Sequence, residues 1–162
     1  MIDDGGAADR HELLARLRDV LKAVRLFKNT LPPRRLSVPS GTLGILATID
    51  DIAGPADAGC HVKDLAARCA LDPSTVSRAV GALVRSGLVQ RTADPDDGRA
   101  STLGLTSHGR EVLSDVTGWY DDQLTDALKD WSREDMAALS ALLQRFCDDL
   151  MSRNHNSLEA AR

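Results

Sequence analysis

Aromatic side chains are almost absent from this chain, which has two Trp, two Phe and one Tyr in 162 residues. Any small-molecule pocket must therefore take most of its wall from aliphatic groups. Cysteine is also sparse. Cys60, Cys69 and Cys147 make an odd number without the rhythm of a disulfide scaffold, which points to reduced, structurally buried thiols in a reducing compartment. No apolar run reaches membrane-spanning length, so no membrane partner is expected. The opening residues MIDDGGAADR are acidic and polar with no apolar leader core, and a cytoplasmic protein is expected.

Catalytic and metal signatures are missing as well. There is no Gly-x-Ser-x-Gly elbow, phosphate-cradling loop or paired-carboxylate setting, which argues against an enzyme. Cys60-His61 together with Cys69 or His108 lacks the CxxC or HxxxH spacing that a tetrahedral zinc shell needs, so neither metal nor other cofactor is expected. His108, beside Gly109, reads instead as a first-turn helix residue. Internal repeats and low-complexity tracts are lacking, and the length fits one domain of ordinary size.

An excess of positive charge is lacking too. The formal net charge of -4 excludes a broadly basic, non-specific nucleic-acid binder. Its distribution is uneven, since between His61 and Leu105 six basic residues (Lys63, Arg68, Arg78, Arg85, Arg91, Arg99) outnumber five acidic ones (Asp64, Asp72, Asp94, Asp96, Asp97). A few well-placed arginines suit specific DNA binding that weakens with salt.

What is present is helical periodicity interrupted by one β-ribbon. Leu13, Leu14, Leu17, Val20, Leu21, Val24, Phe27 and Leu31 predict an amphipathic helix over Asp9 to Leu31, which LPPRRLSVP ends. A short, mostly buried helix follows from Ser40 to about Ala53, up to Gly54-Pro55. The spacing then predicts a helix over His61 to Ala70, with Val62, Leu65, Ala66 and Cys69 on one face. After a turn at Leu71 comes a second helix, with Asp72 as N-cap, Pro73 in the first helical position and Gly87 as the terminating glycine. Its inward stripe is Val76, Ala79, Val80, Leu83 and Val84, which leaves Ser74, Thr75, Ser77, Arg78 and Arg85 outward. These small hydroxyls and cations can approach base edges and phosphates.

Leu88 to Thr92 and Ala100 to Leu105 are short β-forming runs, and Asp94, Pro95, Asp96, Asp97 and Gly98 supply the turn between them. Arg99 then falls at or near the ribbon tip, where a guanidinium can enter a narrow minor groove and Asp97 can hold it straight. An ordinary solvated Asp97–Arg99 turn pair is the alternative for the motif in isolation. Thr106 caps a long helix to about Asp130. Ser132 caps a last helix whose Met136, Leu139, Leu143, Phe146 and Leu150 follow the seam spacing of paired helices, and the tail from Arg153 is expected to be disordered.

The expected fold class is mainly α with a small two-stranded β-wing. Residues 1–38 form an N-terminal helix of a dimerisation region, 39–108 a winged helix-turn-helix, and 109–162 the C-terminal helices completing the dimerisation region, all in one compact domain. The two terminal helices carry apolar stripes that a second copy can cover. A two-fold homodimer of this kind presents its two recognition helices roughly 34 Å apart to double-stranded DNA with a near-palindromic operator. An intrachain bundle in a monomer is the other way to bury the stripes.

The segments DPSTVSRAVGALVRSGL and LVQRTADPDDGRASTLGLTSHG, in this order of elements, closely resemble the MarR family of winged helix-turn-helix transcription regulators, over nearly the whole chain. The resemblance implies that Asp97-Gly98-Arg99 is the wing motif, with Arg99 in the minor groove and Asp97 orienting it. It matches Leu105, Thr106 and Gly109 to the family's L-T-x-x-G, and it implies major-groove contacts from Pro73, Ser74, Thr75, Ser77 and Arg78. Arg85 and Arg91 are candidates for phosphate contacts. It further implies a homodimer, usually a repressor, released from DNA by a small effector such as an aromatic acid, phenol, drug or oxidant.

The chain departs from the family's hydroperoxide sensors, since no cysteine precedes Cys60. Phe27, Trp119 and Tyr120, with Trp131, are the candidates for an effector pocket, although residues of this kind more often belong simply to the core. A winged-helix protein-interaction module without DNA binding, or a redox- or metal-responsive regulator, stand as alternatives. Arg78 and Arg99 separate the first of these from a DNA reader, because a protein-docking module needs no groove-reaching cations.

Overall fold

In the computed structural model, residues 4–29, 40–54, 59–93 and 101–160 are described. The chain divides into two compact units, Met1–Tyr120 and Asp121–Arg162.

The first unit opens with helix α1, Asp4–Asn29. It begins five residues before the expected start at Asp9, because initiation needs only backbone bonds and Ala7 and Ala8 are strong helix formers. A 3-10 turn at Ser40–Thr42 leads into α2, Leu43–Ala53, which ends at Gly54 with φ +61. Next come α3, Val62–Cys69, and α4, Pro73–Arg85. The ribbon consists of β1, Val89–Ala93, and β2, Ser101–Leu105, and α5 follows at Ser107–Ala127.

One apolar core holds α2, α3, α4 and the ribbon together. Leu46, Ile49, Leu65, Val76, Val80, Leu83, Leu88, Leu103 and Leu105 are all essentially inaccessible, and Ile45, Ala66, Val89 and Val112 pack with them. Each such aliphatic side chain contributes about 1.5–3 kcal/mol of burial. The expected stripe on α4 is present, with Val76, Val80 and Leu83 fully buried and Ala79 and Val84 partly so.

The strands are antiparallel, in a register running from Val89 opposite Leu105 to Ala93 opposite Ser101. Both lie one residue C-terminal to, or inside, the expected runs: Leu88 is still turn, although it is buried in the core. Cys60 extends the ribbon on the other side, exchanging backbone bonds with Leu103 at 2.9 and 2.8 Å. This bridge ties the start of the helix-turn-helix to the root of the wing. Gly59, at φ +82, permits the approach, since a Cβ there would strike Thr102.

In the second unit α5 finishes at Ala127, a little before the expected Asp130, and α6 spans Arg133–Ala160. Ser132 and Asp135 form a reciprocal cap, with the Asp135 N–H donating to Ser132 Oγ at 3.0 Å and the Ser132 hydroxyl donating to Asp135 Oδ2 at 2.7 Å. The expectation of a disordered tail from Arg153 is corrected, because α6 continues to Ala160. No Pro or Gly follows Arg133 to stop it, and Leu158, Glu159 and Ala160 favour helix. No helix among the described residues is long and apolar enough to cross a membrane.

Candidate nucleic-acid interface

The turn between α3 and α4 depends on a residue that sequence patterning did not single out. Ala70 adopts a left-handed conformation, φ 49 and ψ 42, and its N–H bonds the Ala67 carbonyl while that of Leu71 reaches the Ala66 carbonyl at 3.1 Å. This arrangement closes α3 and turns the chain within three residues. Such turns often contain glycine, and an alanine in that place gives no sequence signal.

Asp72 then caps α4. Its Oδ1 accepts the Ser74 N–H at 2.8 Å, its backbone carbonyl accepts the N–H groups of Thr75 and Val76, and Pro73 occupies the first helical position as expected. The Asp72 carboxyl is held below its ordinary value, first by the Ser74 side chain, then by the Ser74 and Thr75 N–H groups and the nearby charge of Arg78.

Because Val76, Val80 and Leu83 face inward, Ser74, Thr75, Ser77 and Arg78 are all exposed together with Pro73 and Arg85. The Arg78 side chain folds back along the helix. Its Nε donates to the Ser74 carbonyl at 3.2 Å and its Nη2 to Ser74 Oγ at 3.4 Å. Arg91 is exposed on β1, opposite Leu103. Asp97 and Arg99, with the rest of the expected wing turn, lie outside the described residues. The ribbon leads to them from Ala93 and Ser101, its last described pair.

The L-T-x-x-G match forms a joint between the end of α4 and the start of α5. The Thr106 N–H donates to the Leu88 carbonyl at 3.0 Å, its hydroxyl donates to the Gly87 carbonyl at 2.7 Å, and its Oγ1 accepts the Gly109 N–H at 2.9 Å. Gly109 is buried so close to Leu88 that a Cβ would overlap its carbonyl oxygen. Gly87, at φ +70, is the expected terminating glycine of α4. His108 sits in the first turn of α5, 3.8 Å from the Glu111 carboxylate, as an exposed i,i+3 pair.

Three of the four aromatic candidates meet in the first unit. The Phe27 ring stacks on Tyr120 at a centroid distance of 5.1 Å and lies 6.1 Å from Trp119, and Trp119 meets Tyr120 edge-on at 5.2 Å. Leu43 and Val116 are buried against Trp119 and Tyr120. Trp131 belongs to the second unit, where it is exposed in the turn before α6.

The cysteines differ among themselves. Cys60 is buried, and burial, reinforced by Asp64 and Cys69, pushes its thiol up from 9.0 to about 11. Cys69 is half-buried. Cys147 is exposed on α6, which corrects the expectation that it is buried: its position falls on a helix face that no element among the described residues covers.

Residues 37–100 match the sequence model of the MarR family. Over 101 residues the chain is 36% identical to the HTH-type transcriptional regulator YxaD of Bacillus subtilis, covering 62% of this chain and 67% of that protein. The chain belongs to the MarR family. This regulator is therefore a transcription factor whose DNA-binding part is a winged helix-turn-helix. Among solved structures it resembles the PcaV transcriptional regulator of Streptomyces coelicolor, determined with its natural ligand, at 27% identity and a TM-score of 0.63, over 82% of this chain and 89% of that one. It has the same fold as a MarR variant from E. coli complexed with operator DNA, at 23% identity and a TM-score of 0.63, over 82% and 92% of the two chains.

Proposed function

We propose that this regulator is a homodimeric repressor that reads a near-palindromic operator through α4 and the wing and is released by a small-molecule effector in the cytoplasm. The observation carrying this reading is the composition of the outward face of α4, where Ser74, Thr75, Ser77 and Arg78 are exposed over a fully apolar inner face. Short hydroxyl side chains let the helix approach base edges closely, and arginine supplies the bidentate donor that guanine accepts. In this reading Pro73 sets the helix start, Arg85 and Arg91 contact phosphate, and Arg99 enters the minor groove with Asp97 orienting it.

Dimerisation is supported by the apolar residues that the single chain leaves exposed. On α1 these include Leu14 and Leu21, and on α6 Met136, Leu139, Leu143 and Leu150. A second copy would cover both sets and place two recognition helices on successive turns of one DNA face. The cluster of Phe27, Trp119 and Tyr120 is the best place for an effector, and the similar PcaV regulator binds a natural ligand. Cys60 is poorly suited to redox sensing, because its thiol stays protonated and buried at neutral pH.

The test is binding to the DNA upstream of the protein's own gene at moderate salt. Wild type is expected to shift it as a dimer, with affinity falling steeply as salt rises. Arg78→Ala and Arg99→Ala are each expected to abolish the specific shift. Specific binding unchanged in both variants would sink the site assignment, and absence of any shift on upstream or genomic DNA would favour a protein-interaction module.

A further inference from the structure

A carboxylate at the end of the helix that enters a DNA groove is repelled by phosphate, and capping alone does not require it, because asparagine caps a helix about as well as aspartate. Beyond the cap and the helix dipole, the charge of Asp72 acts on Arg78, whose guanidinium lies near enough to help hold the carboxyl low. Asp72 holds Ser74 through the N–H bond at 2.8 Å, and Ser74 in turn holds Arg78 through both its carbonyl and its hydroxyl oxygen.

The two guanidinium atoms that Ser74 engages are Nε and Nη2, which share one edge of the planar group. Engaging that edge fixes the plane and leaves the outer fork, Nη1 and Nη2, to present two parallel N–H donors. That fork has the geometry that matches O6 and N7 of guanine in the major groove. An arginine free on its four-carbon stem would lose rotamer freedom on binding, whereas one already clipped along its side loses less.

We propose that Asp72 and Ser74 are positioning residues that hold Arg78 so that it reads a guanine in each operator half-site. Ser74 thereby acts through Arg78 rather than as a base contact of its own. The inference rests on the DNA-reading assignment of α4 made above.

The experiment measures binding of the full-length protein to the upstream duplex and to a set carrying every single base-pair change, alongside thermal unfolding. Asp72→Asn is expected to keep the cap with only a slightly lower unfolding midpoint, lower the preference for guanine at one symmetric position by about tenfold or more, and raise affinity for unrelated DNA. Ser74→Ala is expected to lose the same preference, and Ser74→Thr, which keeps the hydroxyl, to retain it. Full guanine preference in both Asp72→Asn and Ser74→Ala, with loss in Arg78→Ala, would overturn the positioning role and leave the DNA-reading assignment standing. Wild-type binding by Arg78→Ala would overturn both.

Discussion

The hydroxyl of Thr106 donates a hydrogen bond to the carbonyl oxygen of Gly87 at 2.7 Å, joining the first residue before α5 to the residue that closes the recognition helix. Thr106 Oγ1 accepts the Gly109 N–H, and the backbone N–H of Thr106 donates to the Leu88 carbonyl. The position of α4 is therefore set from both ends. Asp72 fixes its start and this joint fixes its finish, while the apolar core underneath supplies the bulk of the energy.

Breaking the joint is expected to destabilise the first unit. Thr106→Val preserves shape but leaves the Gly87 carbonyl and Gly109 N–H without their partner, at a cost of about 1–3 kcal/mol. Gly109→Ala forces backbone apart at Leu88 and is expected to cost at least as much, about 1–3 kcal/mol. Urea unfolding monitored by circular dichroism checks both. Stability equal to wild type would show that the joint closes without these bonds.

Ala70→Gly is expected to stabilise the protein. The left-handed conformation costs an alanine about 1–2 kcal/mol, and the greater freedom of glycine in the unfolded chain takes back about 0.5–1 kcal/mol. The net gain of about 0.5–1 kcal/mol would appear as a higher unfolding midpoint with unchanged DNA affinity. A lower midpoint would mean that the Ala70 methyl contributes packing that outweighs its backbone strain.

Acid should loosen the start of α4. Because the Asp72 carboxyl is lowered from 3.8 in the folded protein, its contribution is fully present above that value and is lost as the pH falls through the lower folded value. Carboxyl titration by NMR is expected to give Asp72 a midpoint below the ordinary aspartate range, and Ser74→Ala to bring it upward. A midpoint unmoved by that substitution would remove Ser74 as the main cause.

Cys60 is expected to resist alkylation at pH 7–8 in the native protein and to react fully in denaturant. Burial raises its thiol from 9.0 to about 11, so the native state holds the proton more firmly than the unfolded chain. The associated stability is complete below 9 and lost as the pH climbs through about 11. Mass spectrometry of peptides after timed iodoacetamide treatment checks this. Rapid native labelling of Cys60 would show that the core around Leu103 opens readily.

Much of the winged helix was legible because its signals are local. The Asp72-Pro73 start, the Gly87 finish, the Thr106 cap and the Ser132 cap each depend on atoms within a few residues, and each is in place. The inward stripe of α4 followed from period alone. The far end of α6 is polar enough to suggest disorder, yet it holds no residue that breaks a helix, and α6 runs on to Ala160.

The sequence by itself determined the order of helices, the place of the ribbon and the outward face on which Ser74 and Arg78 lie, since these rest on spacing and on short-range bonds. Tertiary structure decided the rest. The left-handed Ala70, the pairing of Cys60 with Leu103 and the stacking of Phe27 on Tyr120 join residues by contacts or by a backbone conformation that no residue type announces. The exchange of bonds among Asp72, Ser74 and Arg78 lies between these cases. Its spacing was visible, but which edge of the guanidinium Ser74 holds depends on where the side chain settles once the core has fixed the helix.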